Sequence, residues 1–349
     1  MIRYSLLLLS LLTLLSAKAS ASDTLKIVAV GDIMMGSIYP DGKLPPNNDC
    51  SPQLSELIPI LSSGDITFGN LEGVFTDSKV GVKNCKNPQY CYTFGMPTSF
   101  AGCLTEAGFN LISIANNHVN DFGEQGRLST METLRNNDIH FAGLTAYCPI
   151  DTFTIDNVKY GFCAFSPNMG TVNLRDIPAA EQLARSLADS CDVVIVSFHG
   201  GGEGKSYQHV TRQAEIYIGE NRGNVYEFAH RMIDAGADIL LGHGPHVTRA
   251  IEVYNDRFIA YSMGNFCTYD MVSLSGVSGL APIFKIYTDK TGKFLKGEIH
   301  PTHQVKFQPV RIDSQNRVIK VIQDLTRADF PEMSSIIEIT NDGEILLKQ

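Results

Sequence analysis

The stretch FNLISIANNHVNDFG, Phe109–Gly123, decides how this chain reads. Its apolar opening, Phe109-Asn110-Leu111-Ile112, is the pattern of a buried strand. At the strand's exit stand Asn116, Asn117 and His118, followed by Gly123 and a helical stretch. The same order returns along the chain: a helix ending in a small residue, an apolar strand, a polar residue at its exit. SSGDITFGNLEG ends at Asn70 and Glu72, ADSCDVVIVSFHGG at His199, and DAGADILLGHGPHV at His243 and His246. TLKIVAVGDIMMG supplies a strand with Asp32 at its exit, and RFIAYSMGNF another with Asn265.

Strands alternating with helical patterns predict βαβ units and a mostly parallel sheet. Gly126–Asn136 and Val225–Ala235 carry apolar residues at helical spacing, and Ala107-Gly108 and Ala235-Gly236 supply helix stops. Residues 152–165 and 249–262 read as hairpins turning at Asp156-Asn157 and Asn255-Asp256, which makes the sheets mixed. Beyond residue 290, Phe294–His300 and Val305–Val310 read as antiparallel strands. A helix is expected over Ser314–Arg327, then a hairpin turning at Asn341-Asp342-Gly343. No linker rich in Pro, Ser or charge interrupts the chain. The expected organisation is therefore a signal segment over 1–21, one α/β domain over 22–290, and a β-rich extension over 291–349 packed on it.

Functional groups of open α/β sheets gather at the carboxyl ends of strands. Taken singly, each polar exit has an ordinary explanation. Asp32 is a turn former, Asn116-Asn117 tolerates left-handed backbone, and His118 and His199 are loop or packing histidines. Together, at equivalent ends of successive strands, they describe one site. Carboxylate, amide and imidazole donors suit Zn, Mn or Fe, and one or two such ions can activate water and clamp a phosphoryl or carbonyl oxygen. His209, His230, His300 and His303 read as surface or packing residues. Met34-Met35 reads as packing, and the Lys79, Lys83, Lys86 stretch as a solvated loop or a steering surface for an anionic substrate. No GxSxG, Walker or GxGxxG motif is present.

The chain has 349 residues, 44% hydrophobic and 19% charged, with a net charge of −9. Arg3, the apolar run Leu6–Leu15 and the small-x-small sites at Ala17–Ala21 have the form of a cleaved secretory signal. Cleavage removes Arg3 and Lys18 and takes the charge from −9 to −11. An acidic exported protein lacks the basic surface that nucleic acid demands. Eight cysteines in an oxidising compartment permit disulfides, Cys85–Cys91 being the expected pair. Cys163 and Cys191 sit in or beside strand patterns as small buried residues. No CxxC or CxxH spacing favours a cysteine zinc site.

In order, VGDIMMG, GNLEG, ANNHVNDFG, FHGG, GHGPHV and SMGNF resemble the CapA (poly-γ-glutamate capsule synthesis, PGA_cap) family, over about residues 25–270. That family is similar to the calcineurin-like metallophosphatases. The resemblance implies a four-layer α/β/β/α sandwich with the site at its strand ends. It implies metal ligation by Asp32, Glu72, Asn117, His199 and His246, with His243 a further candidate. It makes His118, beside Asn117, the acid that protonates a leaving group, and has Asn265 support the site or touch substrate; Asn116 is a further substrate-binding candidate. One departure stands out: where the phosphatases carry a histidine two residues after the first Asp, this chain has Met34. Two functions are expected. One is metal-dependent hydrolysis or transfer at a phosphoester or glutamyl amide bond, outside the cytoplasm. The other is non-catalytic handling of an anionic polymer beside membrane-bound capsule synthesis machinery.

Overall fold

The computed structural model describes residues 24–84 and 91–348. The expected signal segment, and Cys85 of the expected Cys85–Cys91 pair, lie outside these residues.

Two mixed sheets form the centre. The first runs in the order Ile337–Ile339, Glu344–Leu347, Phe294–His303, Leu280–Asp289, Thr24–Ile33, Ile66–Leu71, Leu111–Ser113, His140–Ala142. Its last four strands are parallel, and Thr24–Ile33 meets Leu280–Asp289 antiparallel. The second runs Ile251–Tyr254, Arg257–Ala260, Ile239–His243, Val193–His199, Val158–Ser166, Ile150–Ile155, with parallel strands at its centre and a hairpin on each flank.

The strand Thr24–Ile33 shows how the layers arise. Alternate side chains leave opposite faces of a strand. Ile27 and Ala29 enter the core shared with Phe162, Ile195 and Leu241 of the second sheet. Val28 and Val30 enter the core lined by Leu104, Met131 and Leu134 of the helices Ala101–Glu106 and Gly123–Asn136. The helices Ile177–Ala188 and Val225–Asp234 cover the far face of the second sheet. The result is the expected α/β/β/α sandwich.

The two predicted hairpin turns of the second sheet are present. Asp156, Asn157, Asn255 and Asp256 all take positive φ, from 48° to 64°, as two-residue turns between right-twisted strands demand. Ala107 and Ala235 cap their helices, and Gly108 and Gly236 follow at φ 93° and 102°. The extension differs from expectation in two places. Residues 305–310 form no strand; the pairing falls to Arg311–Ile312. The last helix runs Arg317–Asp329 because Asn316 is left-handed at φ 53° and breaks the helical path. Within the first sheet Phe294–His303 pairs with Leu280–Asp289, so the extension continues that sheet across residue 290.

Asn265 also departs from its expected place. The strand Arg257–Ala260 ends in the second sheet, the chain crosses over, and Asn265 opens the strand Asn265–Cys267 beside Asp32 in the first. The crossing backbone lies directly on Gly31: a Cβ there would stand 1.9 Å from the Gly264 carbonyl oxygen. Gly31→Ala is expected to destabilise the fold by about 3 kcal/mol or more. A denaturant titration showing a change under about 0.5 kcal/mol would contradict this packing.

Cys50 and Cys103 form a disulfide that ties the segment before helix Ser51–Leu54 to helix Ala101–Glu106. Fifty-three residues separate the partners, too far for spacing to reveal the pair. Cys163 is buried as expected, Cys191 half-buried, and both are free.

Candidate functional site

Sheet topology brings the polar exits to one rim. Asp32 pairs in register with Asn70 on one side and Asn265 on the other. His199 and His243 stand opposite one another at the parallel ends of their strands. Contacts then close between the sheets. His199 Nδ1 lies 3.4 Å from Glu72 Oε2, and His243 Nδ1 3.4 Å from Asp32 Oδ1. His246 reaches both carboxylates, with Nδ1 2.9 Å from Asp32 Oδ2 and Nε2 3.9 Å from Glu72 Oε1. His118 Nε2 stands 4.0 Å from Glu72 Oε1. Asp32, Glu72, His118, His199, His243 and His246 thus share one pocket.

Asn70 cross-links the two acids, its Nδ2 donating to Asp32 Oδ1 at 2.9 Å and to Glu72 Oε2 at 2.6 Å. Asn116 is fully buried and donates to the Leu71 carbonyl at 2.7 Å and to Asn70 Oδ1 at 3.2 Å. Its own Oδ1 accepts from the His118 backbone N–H at 3.0 Å. Asn265 Nδ2 donates to the carbonyls of His246 and Ser278, each at 3.0 Å. The amides of Asn116 and Asn265 are therefore engaged by the protein and hold its loops in place. Asn117 differs: it is half-buried and its Oδ1 has no partner.

His118 is held on three sides. Asp121 Oδ2 meets its Nδ1 at 2.8 Å, Phe94 stacks on its ring at 4.0 Å, and Asn116 fixes its backbone. Asp121 is fully buried, accepts from the Phe94 N–H at 2.7 Å, and pairs with Lys83. With Nδ1 committed to Asp121, Nε2 is the nitrogen left facing Glu72. Asp121 and Phe94 are the residues that sequence reasoning missed, and Asn70, though named at its strand exit, was given no role. Asn70 and Asp121 lie inside the quoted motifs, and Asp121 follows His118 by three. Lys83, expected as a solvated or steering residue, is instead committed to Asp121.

Electrostatics follow from this crowding. Burial opposes the charge on Asp32, but the close approach of the His243 and His246 imidazoles outweighs it and holds the carboxyl far below the usual range. Glu72 is also lowered: burial and the Asp32 charge oppose ionisation, and His199 and His246 prevail. Burial pulls the His243 imidazole down, favouring its neutral form. Burial acts on His246 in the same sense, yet Asp32 and Glu72 push it up to about 10.

Among the described residues no group of three or more His, Cys, Asp or Glu side chains is arranged to hold a metal ion as those side chains stand. The donor chemistry nevertheless suits one. Glu72 Oε1, Asn117 Oδ1 and both ring nitrogens of His199 and His243 are buried without hydrogen-bond partners. Buried polar atoms are rarely left so, and a cation would take up one lone pair from each of these side chains.

The profile of the bacterial capsule synthesis protein PGA_cap family matches residues 26–270, which carry every residue of this rim. The chain belongs to that family. It is 28% identical over 332 residues to the PGA biosynthesis protein CapA of Bacillus subtilis, covering 89% of this chain and 80% of the relative. It is 25% identical over 268 residues to the capsule biosynthesis protein CapA of Bacillus anthracis, covering 71% of this chain and 61% of the relative. A phosphatase from Mycoplasma pneumoniae superposes with a TM-score of 0.52 at 15% identity, over 85% of this chain and 96% of that one. That likeness establishes the metallophosphatase-like fold.

Proposed function

We propose that this PGA_cap protein is a metal-dependent hydrolase or transferase acting outside the cytoplasm. Its substrate is a phosphoester or a glutamyl amide bond, in a small molecule or an anionic capsule polymer. The observation that carries this reading is the set of unpartnered buried donors on Glu72, Asn117, His199 and His243, converging from four strand ends. Asp32 and His246 complete the pool of metal-binding candidates. Coordination asks the imidazoles to turn toward a shared point, and His199 and His243 have no hydrogen bonds to lose in turning.

A bound divalent ion supplies Lewis-acid polarisation of a phosphoryl or carbonyl oxygen and lowers the pKa of water. The chain's own residues supply the rest. Asp121 orients His118 so that Nε2 faces the pocket and hands a proton to a departing oxygen or nitrogen. Asn70 sets the direction of both carboxylates. Export is supported by the form of residues 1–21 and by the Cys50–Cys103 disulfide, which persists in oxidising compartments. Among the described residues no helix is long and apolar enough to cross a membrane. The capsule and PGA names of the two Bacillus relatives favour a polymer substrate.

The test is turnover of bis(p-nitrophenyl) phosphate and of poly-γ-glutamate before and after chelation. Activity lost on chelation and restored by Mn²⁺ or Zn²⁺ is the expected result. Activity that survives complete metal removal contradicts the reading. Absence of turnover in metal-loaded protein that still retains the polymer points to a binding role instead.

A further inference from the structure

We propose that Lys43 and Lys306, joined by the carboxylate of Asp270, form an anchoring subsite beside the rim for a carboxylate of a polyanionic chain. This rests on the reading above for the reacting bond and names the class of substrate that carries it, a polymer of carboxylates.

Three strands of the first sheet finish on the rim's edge: Thr24–Ile33, Asn265–Cys267 and Phe294–His303. The segments that follow them meet at Asp270, which is buried. Lys43 Nζ lies 3.0 Å from Asp270 Oδ2, and Lys306 Nζ 2.7 Å from Oδ1. The cluster is tied to the rim on two sides. Ser37 donates its N–H to the Lys43 carbonyl at 2.9 Å, and its Oγ accepts from the Gly95 N–H at 3.1 Å, next to the Phe94 ring that stacks on His118. Asp270 follows shortly after Asn265, whose Oδ1 lies 3.0 Å from His246 Nδ1. Lys306 stands beyond residue 270, where the family match ends, so the extension supplies half of the anchor.

A structural tie needs one lysine. Two on one carboxylate leave a surplus positive charge, in a chain whose net charge is −9. Stability does not account for the second: an exposed ion pair contributes about 0–1 kcal/mol, and an ordered lysine gives up as much as about 2 kcal/mol of rotamer entropy. The two side chains are 51% and 50% exposed, and each ammonium has N–H groups beyond the one that meets Asp270. The backbone carries a second, independent sign. Tyr269 and Phe307, the chain neighbours of Asp270 and Lys306, take φ 51° and 62°. For bulky residues that conformation costs about 1–3 kcal/mol each and concentrates at functional sites. The two hold one another, Phe307 N–H donating to the Tyr269 carbonyl at 3.1 Å and the rings meeting edge to face at 5.6 Å. Phe307 is 52% exposed, an aromatic surface beside the ammonium for the apolar part of a polymer unit. Asp270 itself shows the fit to a carboxylate: two ammoniums take one oxygen each. A substrate carboxylate meets the same pair from the open side, one negative charge against one surplus positive charge.

The experiment is fluorescence anisotropy of labelled poly-γ-glutamate titrated with full-length protein at low salt, with thermal melts of every variant. Lys43→Gln and Lys306→Gln each leave Asp270 one ammonium, and each should weaken binding by about fivefold or more. Asp270→Asn keeps both lysines and raises the surplus charge, so it should tighten binding by about threefold, where a purely structural tie predicts loosening. A Lys306→Gln protein that binds within about twofold of wild type overturns the proposal, as does a folded Asp270→Asn protein that binds more weakly. Labelled polyphosphate of matched length, bound as tightly and with the same lysine dependence, overturns the commitment to carboxylates. Wild type that turns over bis(p-nitrophenyl) phosphate but does not bind the polymer overturns the anchor and leaves the hydrolase reading standing. Lysine-dependent binding in metal-loaded protein without turnover of either substrate supports the anchor and removes the hydrolase reading.

Discussion

His118→Asn is expected to slow turnover by about 10²–10⁴-fold, or roughly 3–5 kcal/mol in barrier, while leaving metal content unchanged. The size follows from how completely the protein commits this side chain. Asp121, Phe94 and Asn116 fix its ring and backbone, and Nε2 faces the pocket 4.0 Å from Glu72. An asparagine keeps polarity and volume near the pocket but carries no titratable proton. Asp121→Asn should give a smaller loss by the same route, since it removes the charge that selects the working nitrogen. Rates on bis(p-nitrophenyl) phosphate, with elemental analysis of the same samples, check both variants. A His118→Asn protein that keeps its metal and more than half its rate would remove His118 from the chemistry.

The second large effect lies outside the rim. Arg249 is fully buried and holds Glu215 through two nitrogens, at 2.9 and 2.7 Å. Glu215 in turn accepts from the Gly202 N–H at 2.8 Å, three residues beyond His199. Removing one partner leaves an uncompensated charge in the interior, which costs about 3–5 kcal/mol. Arg249→Ala should therefore lower the melting temperature by roughly 5–15 °C. Arg249→Lys should recover little, because a point charge cannot reproduce the paired fork. The double change Glu215→Leu with Arg249→Met should recover most of the loss, since no buried charge remains. A single Arg249→Ala variant that melts within a degree of wild type would contradict the pairing.

Much of this is legible in the amino-acid sequence. Period-two and period-3.6 patterns place the strands and helices. The turn residues at 156–157 and 255–256 mark both flanking hairpins because few residues tolerate φ near 50–60° in succession. The exits were legible because parallel strands put their carboxyl ends on one edge. What pattern could not supply was connection through space. Cys50 and Cys103 stand 53 positions apart in sequence and meet only through the fold. Arg249 and Glu215 look like surface charges in a linear reading. Asn265 reads as the end of one strand and proves to begin another, because nothing local announces a crossing between sheets. Asn116 reads as a substrate-binding candidate and Asn265 as a group that supports the site or touches substrate, and the amides of both are engaged by the protein.

The rim itself is tested most directly by elemental analysis of the protein purified from its native compartment, beside Glu72→Ala prepared identically. One or two equivalents of Zn, Mn or Fe per chain in the native protein, falling below about a tenth of that in the variant, is the predicted result. Native protein without metal, or a Glu72→Ala variant that keeps it in full, would contradict a cation held at these strand ends.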